Sequence, residues 1–418
     1  MLQRPELKFP KNFLWGVSTS AHQIEGGNHN QWSVWELENA KSLATQAPYQ
    51  YDDLAHWPDI RDAAKSANNY VSGAAANHYE LFERDVALVQ KMNMNSFRFS
   101  VEWSRIQPEQ GVWNAEAVEH YKAVLAACKK RNIEPVVALF HFTLPVWFAE
   151  LGGFEKRANI DHFVNFSERI LSELGPTVKY VITMNEPEVY AVESYYRAKW
   201  PPQGQGFFRT VKVMNNLARA HNRVAKRVHE MSRRYKVSII DNGVYVYPGD
   251  DSALSVRSAA LMQYLTDDYF MKKIIKTCDF IGVNYYFSHR VYGYRIHNPD
   301  DHLNDMGWSM EPEHIQQMIE RLYEKYQLPI FITENGLADA KDEYRQWWLM
   351  QTIVGINKAI ASGVEVIGYL HWSLIDNFEW DKGFWPRFGL FDVDYRTMKR
   401  TPRASAVWFA KILKKIRG

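Results

Sequence analysis

The sequence has little of several features that mark particular classes of protein. It holds only two cysteines, Cys128 and Cys278, in 418 residues, so it cannot carry a disulfide framework. No apolar run reaches the roughly 18 residues of a membrane span, and the opening segment MLQRPELKFPKN lacks the apolar stretch of a secretory signal. The formal net charge is only +2, which favours neither nucleic acid nor a membrane surface as a partner. We therefore expect a cytoplasmic protein that binds neither.

Several catalytic signatures are missing as well. The histidines show no HExxH or other metal-ligand spacing, and there is no P-loop. No GxSxG motif is present, and neither cysteine has a catalytic context. We therefore expect neither a metal site nor a cofactor.

What is present is a regular alternation of short apolar runs and longer amphipathic segments. The predicted strands are 13–19, 96–103, 134–142, 179–186, 237–246, 279–286, 329–336 and 365–374. The predicted helices lie around 77–92, 114–131, 160–174, 208–235, 254–276, 310–326, 342–362 and 402–416. Because the strands are continuous apolar runs, they are typical of a parallel sheet buried on both faces. Eight such units predict an α/β fold, a (β/α)8 TIM barrel.

An open, doubly wound sheet is the structural alternative. Such a fold would have a glycine-rich phosphate-binding loop after the first strand. The segment at that place, SAHQIEGG, does not fit GxGxxG. No linker rich in Pro, Gly or Ser divides the chain, so residues 1–418 are expected to form one catalytic domain. The stretch 38–76 is the least structured and is predicted to be a long loop over the catalytic face.

Polar and aromatic residues gather where the predicted strands end. In a barrel these ends converge on one mouth, where such enzymes place their chemistry. Each residue alone has an ordinary structural explanation, but their coincidence on seven strand ends favours a functional site. The candidates are Gln23, Arg98, His141, Asn185, Glu186, Asn284, Tyr286, Glu334, Trp372, Glu379 and Trp380.

Two glutamates stand out among them. Glu186 precedes Pro187, which disfavours the α region, so we expect Glu186 to remain extended on its strand. Glu188 lies beyond that break, where an acidic residue at a helix start is commonplace, and we set it aside. Glu334 ends an apolar run and is followed by the turn signal Asn335-Gly336. Two carboxylates that face one pocket are the minimum required for glycoside hydrolysis.

The motifs FLWGVSTSAHQIEGG, RFSVEWSRI, HFTLPVW, TMNEP, IGVNYY, ITENG and WSLIDNFEW follow in this order along the chain. Together they resemble glycoside hydrolase family 1, the retaining β-glucosidases and β-galactosidases, from about residue 9 to 403. The resemblance implies that Glu186 is the acid/base and Glu334 the nucleophile.

The resemblance also implies roles for the neighbouring residues. Arg98 and Tyr286 would favour the charged form of Glu334, and Asn185 would hold the sugar 2-hydroxyl. A cis peptide is expected at Trp372-Ser373. The expected sugar-binding residues are Gln23, His141, Asn284, Trp372, Glu379, Trp380 and Phe388.

The implied function is an exo-acting retaining β-glycosidase, most readily a β-glucosidase with β-galactosidase or β-fucosidase side activity. Its ligands would be small β-glycosides and short β-linked oligosaccharides. A transglycosidase of the same family and a non-catalytic sugar-binding member are the alternatives. The sequence leaves the oligomeric state open.

Two positions bear on the choice of sugar and one set of loops on the leaving group. Phe142 stands where many members have Trp, a form similar to archaeal members, and leaves the preferred sugar open. Glu379 would repel the phosphate of a phosphorylated sugar. The aglycone side is expected to be built from the loops 38–76, 190–207 and 287–309.

Overall fold

Eight parallel strands close into a barrel in the computed structural model, which describes residues 7–417. Each strand pairs in parallel with its neighbours along the chain, and the eighth pairs with the first. The predicted (β/α)8 fold is confirmed, and all eight predicted strands are present. Numbered in chain order, the barrel strands are Leu14–Ser18, Ser96–Ser100, Glu134–Ala138, Tyr180–Asn185, Lys236–Asn242, Ile281–Tyr285, Ile330–Asn335 and Val366–Trp372.

A helix follows each barrel strand, so all eight predicted helical regions contain one. The fifth begins as Ala253–Gln263 and continues through a π-helical turn, Tyr264–Asp268, into Tyr269–Ile274. The other outer helices are His78–Lys91, Ala115–Lys130, Ile160–Leu174, Phe207–Met231, Ile315–Tyr326, Arg345–Ala361 and Ala404–Arg417. Their apolar faces pack on the outside of the barrel, while a smaller cluster that includes Tyr180, Phe280 and Phe331 fills its interior.

The connections after the strands carry further small elements. Short helices span Ala21–Ile24, Trp103–Ile106, Val146–Glu150 and Pro187–Tyr195. One small sheet joins Tyr245–Pro248, Ser288–Tyr292 and Arg295–Ile296, and another joins Phe391–Asp394 and Lys399–Pro402. The strand predicted over 237–246 is therefore two strands, because the chain leaves the barrel after Asn242.

The prediction of a long loop over 38–76 is wrong. Most of this stretch is helical, within Gln31–Tyr51 and Trp57–Ala64. Asn30 caps the first helix, since its side chain accepts from the Ser33 backbone N–H at 3.0 Å. From residue 38 onward the buried residues of that helix are all alanine, which gives strong helix propensity but weak hydrophobic periodicity.

Barrel strands four and seven change register just before their last residues. Ile182 pairs with Ser238 and Asn185 with Ile240, so strand four holds one extra residue. Strand seven does the same between Ile332 and Glu334. Such irregularities re-aim side chains and are common beside active sites.

The sequence predicts a turn at Gly336. The atoms that surround it show a second reason why this position is a glycine. A Cβ at this position would lie 1.8 Å from the carbonyl oxygen of Trp372. The glycine therefore allows strands seven and eight to approach closely where they reach the barrel mouth.

Three further points concern the chain as a whole. Cys128 and Cys278 are both buried and free. None of the helices between residues 7 and 417 is both long and apolar enough to cross a membrane. That the chain is a single domain stays a prediction.

Candidate active site

A cavity of about 570 Å³ lies at the carboxyl ends of the barrel strands. Arg98 and Asn284 are fully buried and hydrogen-bonded to residues that line it. The structure therefore brings all twelve predicted site residues together. The predicted residues that line the cavity are Gln23, His141, Asn185, Glu186, Tyr286, Glu334, Trp372, Glu379, Trp380 and Phe388.

Glu334 ends strand seven and is surrounded by donors. The Arg98 guanidinium forms an ion pair with its Oε1, and the Tyr286 hydroxyl donates to its Oε2 at 2.7 Å. Burial raises the pKa of Glu334 above its usual value, and Arg98 and Tyr286 oppose this rise. Two donors, one of them a cation, favour the carboxylate form of this residue.

Glu186 does not have the extended conformation that we expected from Pro187. Strand four ends at Asn185, and Glu186 has φ 40° and ψ 60°, in the left-handed region. Pro187 then occupies the first position of the helix Pro187–Tyr195, where its missing N–H costs nothing. The backbone turns sharply at Glu186, and the extra residue in strand four precedes this turn.

The carboxyl group of Glu186 has a different environment from that of Glu334. Its Oε1 accepts from the Asn284 amide at 2.7 Å, and no arginine or lysine contacts it among the described residues. Burial and the charge of Glu334 raise the pKa of Glu186 to about 8. Glu186 therefore favours the protonated form at neutral pH.

Glu188 lies in the first turn of the helix, as expected, but it is not an ordinary surface acid. It is 6% exposed and lines the same cavity, and no other side chain within residues 7–417 is hydrogen-bonded to its carboxyl group. Its dismissal from the sequence was wrong in this respect. Only the tertiary fold shows that the residue is buried.

Arg98 also orients the two polar residues between the glutamates. Its second terminal nitrogen donates to Asn185 Oδ1 at 2.9 Å and to His141 Nδ1 at 3.2 Å. Burial and the Arg98 charge hold the pKa of His141 well below its usual range, so the ring is neutral. Both ring nitrogens face donors, since the Asn185 amide nitrogen lies 3.2 Å from Nε2, so the two contacts fix the plane of the ring.

The far end of the cavity is polar and aromatic. Gln23 Nε2 donates to Glu379 Oε2 at 3.3 Å and to the Phe378 carbonyl at 2.8 Å. The His141 ring is stacked near Trp372 and Trp380, with ring centroids 6.0 and 5.8 Å away. The Trp372-Ser373 peptide is cis, as expected.

One wall of the cavity was missed by sequence reasoning. It is apolar and consists of Met214, Val244, Met262 and Leu265, together with Val192 of the expected segment 190–207. The four missed residues come from two helices and the segment after strand five, where each is an ordinary apolar residue in the sequence. No signal distinguishes them from core positions without the fold.

The expected aglycone loops are partly corrected. Residues within 190–207 and 287–309 do line the cavity, but none within 38–76 does. Three buried residues of that last stretch, Ala47, Ile60 and Ala64, instead pack with Trp385. In the described range 7–417, no group of three His, Cys, Asp or Glu side chains is arranged to hold a metal ion.

Comparison with known proteins places this geometry in a family. The family model for glycosyl hydrolase family 1 matches residues 6–280 and 271–417. The chain belongs to glycosyl hydrolase family 1. It is therefore a glycoside hydrolase, and the resemblance inferred from its motifs is confirmed.

Relatives and solved structures agree along nearly the whole chain. β-Glucosidase A of Thermotoga maritima is 29% identical over 461 residues, covering 97% of this chain and 98% of the relative. The structure of a β-glycosidase from Pyrococcus horikoshii is 34% identical in sequence, with a TM-score of 0.86. The match covers 98% of this chain and 96% of the P. horikoshii chain. The structure of the T. maritima β-glucosidase in complex with glucoimidazole is 28% identical in sequence, with a TM-score of 0.85. The match covers 98% of this chain and 99% of the T. maritima chain.

Proposed function

We propose that this family 1 glycosidase is an exo-acting, retaining β-glucosidase of small β-glycosides and short β-linked oligosaccharides. The observation that carries the proposal is the pair of buried glutamates on one cavity, only one of which has a cation in contact. Retaining hydrolysis needs one carboxylate that attacks and one carboxylic acid that donates a proton. The relatives named as β-glucosidases support the choice of sugar.

The first chemical step follows from the two environments. A carboxylate oxygen of Glu334 attacks the anomeric carbon while Glu186 gives its proton to the glycosidic oxygen, so the leaving group departs as an alcohol. Arg98 and Tyr286 hold the attacking carboxylate charged and in place. The product is a glycosyl ester on Glu334.

The second step reverses the role of Glu186. Once Glu334 is esterified, its negative charge is gone, and one cause of the raised Glu186 pKa disappears with it. Glu186 then takes a proton from water, whose oxygen attacks the anomeric carbon. The bond from that carbon to Glu334 breaks, so the sugar is released and Glu334 becomes a carboxylate again. Two displacements at one carbon retain the β configuration.

The polar end of the cavity is the proposed sugar site. We assign the sugar hydroxyls to Gln23, His141, Asn185 and Glu379, and the apolar face of the ring to Trp372, because stacking on flat apolar surfaces suits sugar rings. The apolar wall at the other end favours aryl or alkyl leaving groups over a second sugar.

A phosphorylated sugar is the less favoured substrate, although one relative is a 6-phospho-β-galactosidase of Clostridium acetobutylicum. Lys382 lines the cavity and acts on the pKa of Glu379, but its Nζ lies 2.9 and 3.0 Å from the two oxygens of Asp381. Lys382 is therefore engaged by Asp381 and is not free to bind a phosphate. Burial raises the pKa of Glu379 to about 8, so a neutral Glu379 would add no attraction for a phosphate either.

Initial rates on a panel of substrates test the proposal. We expect p-nitrophenyl β-glucoside to exceed cellobiose and laminaribiose in kcat/KM, and the 6-phosphoglucoside to be poor. Chromatography of the products separates hydrolysis from transfer to a second sugar. No release from any β-glycoside in the panel would refute the proposed enzyme.

A further inference from the structure

The side chains that line the cavity show where it opens to solvent. Most of them are buried or half-buried, and three are exposed: Arg197, Lys199 and Leu265. Leu265 is 58% exposed and lies on the π-helical turn Tyr264–Asp268, where it also belongs to the apolar wall. Arg197 and Lys199 follow the helix Pro187–Tyr195. A leaving group longer than the cavity must therefore emerge between Leu265 and this segment.

Exposed large apolar side chains are concentrated in the part of the chain that carries the opening. The segment 196–296 holds ten of the seventeen such side chains within residues 7–417. A single exposed apolar residue is ordinary, whereas a contiguous group of them indicates a binding surface. We name the six that belong to the elements around the opening the apolar lip: Tyr196, Phe207, Phe208, Leu254, Leu261 and Leu265.

Three leucines of the apolar lip form one row on the helix that begins as Ala253–Gln263. Leu254, Leu261 and Leu265 are spaced by seven and four residues, which places them on the same face of a helix. Leu261 is 59% exposed, so the row continues outward from the cavity-lining Leu265. At a rise of about 1.5 Å per residue, the row is about 16 Å long.

The helix Phe207–Met231 carries a second row. Phe207, Val211 and Met214 are spaced by four and three residues and also share one face. Met214 is buried and lines the cavity, Val211 is half-buried, and Phe207 is 63% exposed. Both helices follow the carboxyl ends of barrel strands, so both begin on the side of the barrel where the cavity lies. Apolar surface therefore continues outward from the cavity along two helices.

The charged groups near the opening are compatible with an apolar ligand. Arg197 is paired with Glu193 at 2.7 Å, which balances its charge. Lys199 and Arg257, the latter between Leu254 and Leu261 in sequence, have aliphatic stems along which an apolar chain can lie. A second sugar would gain little from leucine and phenylalanine, because its hydroxyls need hydrogen-bonding partners.

We propose that the enzyme acts on amphiphilic β-glucosides, whose aglycone is a long alkyl chain that leaves the cavity at Leu265 and lies along the apolar lip. The proposal rests on the proposed β-glucosidase function and specifies its leaving group. With C–C bonds of about 1.5 Å, an extended chain of roughly a dozen carbons is about as long as the leucine row. Hydrolysis consumes one water and yields glucose and the long-chain alcohol.

A series of alkyl β-glucosides from hexyl to dodecyl, each below its critical micelle concentration, tests the proposal. A fully buried methylene strengthens binding about fourfold, and the apolar lip covers the chain on one side. We therefore expect kcat/KM to rise about twofold per methylene. The gain should be in KM rather than in kcat, because the chain binds equally well in the ground state and the transition state.

A double variant tests whether the apolar lip causes the rise. Phe207→Ser/Leu261→Ser removes two exposed side chains, neither of which lines the cavity. We expect the rise per methylene to be largely lost, with the rate on p-nitrophenyl β-glucoside unchanged within about twofold. The matched control is Leu37→Ser/Tyr49→Ser, which removes an exposed leucine and an exposed aromatic ring from the helix Gln31–Tyr51 and should keep the wild-type rise.

Four results would overturn the proposal. The first is a wild-type kcat/KM that does not increase from hexyl to dodecyl, and the second is a lip variant that keeps the full increase. The third is a control variant that loses the increase equally, since the cause would then not lie at the apolar lip. The fourth is a wild-type dimer that the lip variant converts to monomers in analytical ultracentrifugation, because a second copy of the chain would then cover the apolar lip.

Binding of alkyl β-thioglucosides, which resist hydrolysis, gives a readout that does not depend on activity. Calorimetry should show the same increase in affinity per methylene in the wild type and its loss in the lip variant. This increase without hydrolysis of any β-glucoside would refute the proposed function and leave the apolar lip assigned as an alkyl site. Hydrolysis of p-nitrophenyl β-glucoside without the increase would refute the alkyl site alone.

Discussion

Glu334 and Glu186 are both buried glutamates at the ends of barrel strands, yet their surroundings differ in kind. Glu334 has an arginine and a phenol directed at its two oxygens. Glu186 has one amide donor, and the charges of Glu334 and Asp241 raise its pKa further. The comparison teaches that residue type and strand position do not assign the chemistry; the charges in contact with each carboxyl do.

The largest expected effect comes from removing the charged member. Glu334→Ala eliminates the oxygen that we propose attacks the anomeric carbon, so we expect a loss of roughly 10⁴-fold or more in kcat on p-nitrophenyl β-glucoside. The thermal unfolding midpoint of the variant serves as the control for folding. Activity within tenfold of wild type would contradict the assignment of the nucleophile.

Removing the neutral member should give an effect that depends on the leaving group. We expect Glu186→Ala to lose about 10²- to 10⁴-fold on substrates with poor leaving groups. Activated aryl glycosides should still form the glycosyl ester, and azide should restore part of the turnover. Initial rates across a series of leaving groups measure this dependence, and a more damaging Glu188→Ala would reverse the assignment.

Removing one of the two donors to Glu334 should make its surroundings more similar to those of Glu186. Tyr286→Phe removes the 2.7 Å hydrogen bond to Glu334, which is worth about 1.5 to 3 kcal/mol to a charged group, so we expect a loss of about 10- to 100-fold in kcat/KM. Since the hydroxyl lowers the pKa of Glu334, the acidic limb of the pH profile should move to higher pH.

Tyr285→Phe is the matched control for that experiment. Its hydroxyl bonds to the Glu311 carbonyl at 2.5 Å and to Ser288, and it does not line the cavity. The same chemical change one residue away should leave the acidic limb in place. An equal displacement in both variants would show that the shift has a general structural origin.

The smallest expected effect is on stability. Asp241 has a folded-state pKa raised to about 7, so its contribution is fully present below its unfolded value and is lost as pH rises to about 7. Asp241→Asn should therefore match the wild-type unfolding midpoint near pH 4 and exceed it by a few °C at pH 8. Calorimetry at both pH values measures the difference, and a variant that is less stable at pH 8 would contradict the sign.

The sequence predicted the barrel because each strand is a continuous apolar run that ends in polar residues, as PIFITENG shows. It also predicted that Glu186 and Glu334 lie on one cavity, because strand ends in a barrel converge. It could not predict the left-handed conformation of Glu186, since Pro187 favours the opposite. Nor could it show that Glu188 is buried, because burial there depends on strand five and the π-helical turn, which are distant in the chain.

The backbone conformation of Glu186 lowers the free energy of unfolding of the protein. A non-glycine residue at φ 40° carries a penalty of about 1 to 3 kcal/mol, which glycine would avoid. The protein would therefore tolerate Glu186→Gly better than Glu186→Ala, although both lack the acid. Part of the folding free energy is thus spent on aiming one carboxyl group, and selection for thermostability alone would tend to replace this glutamate.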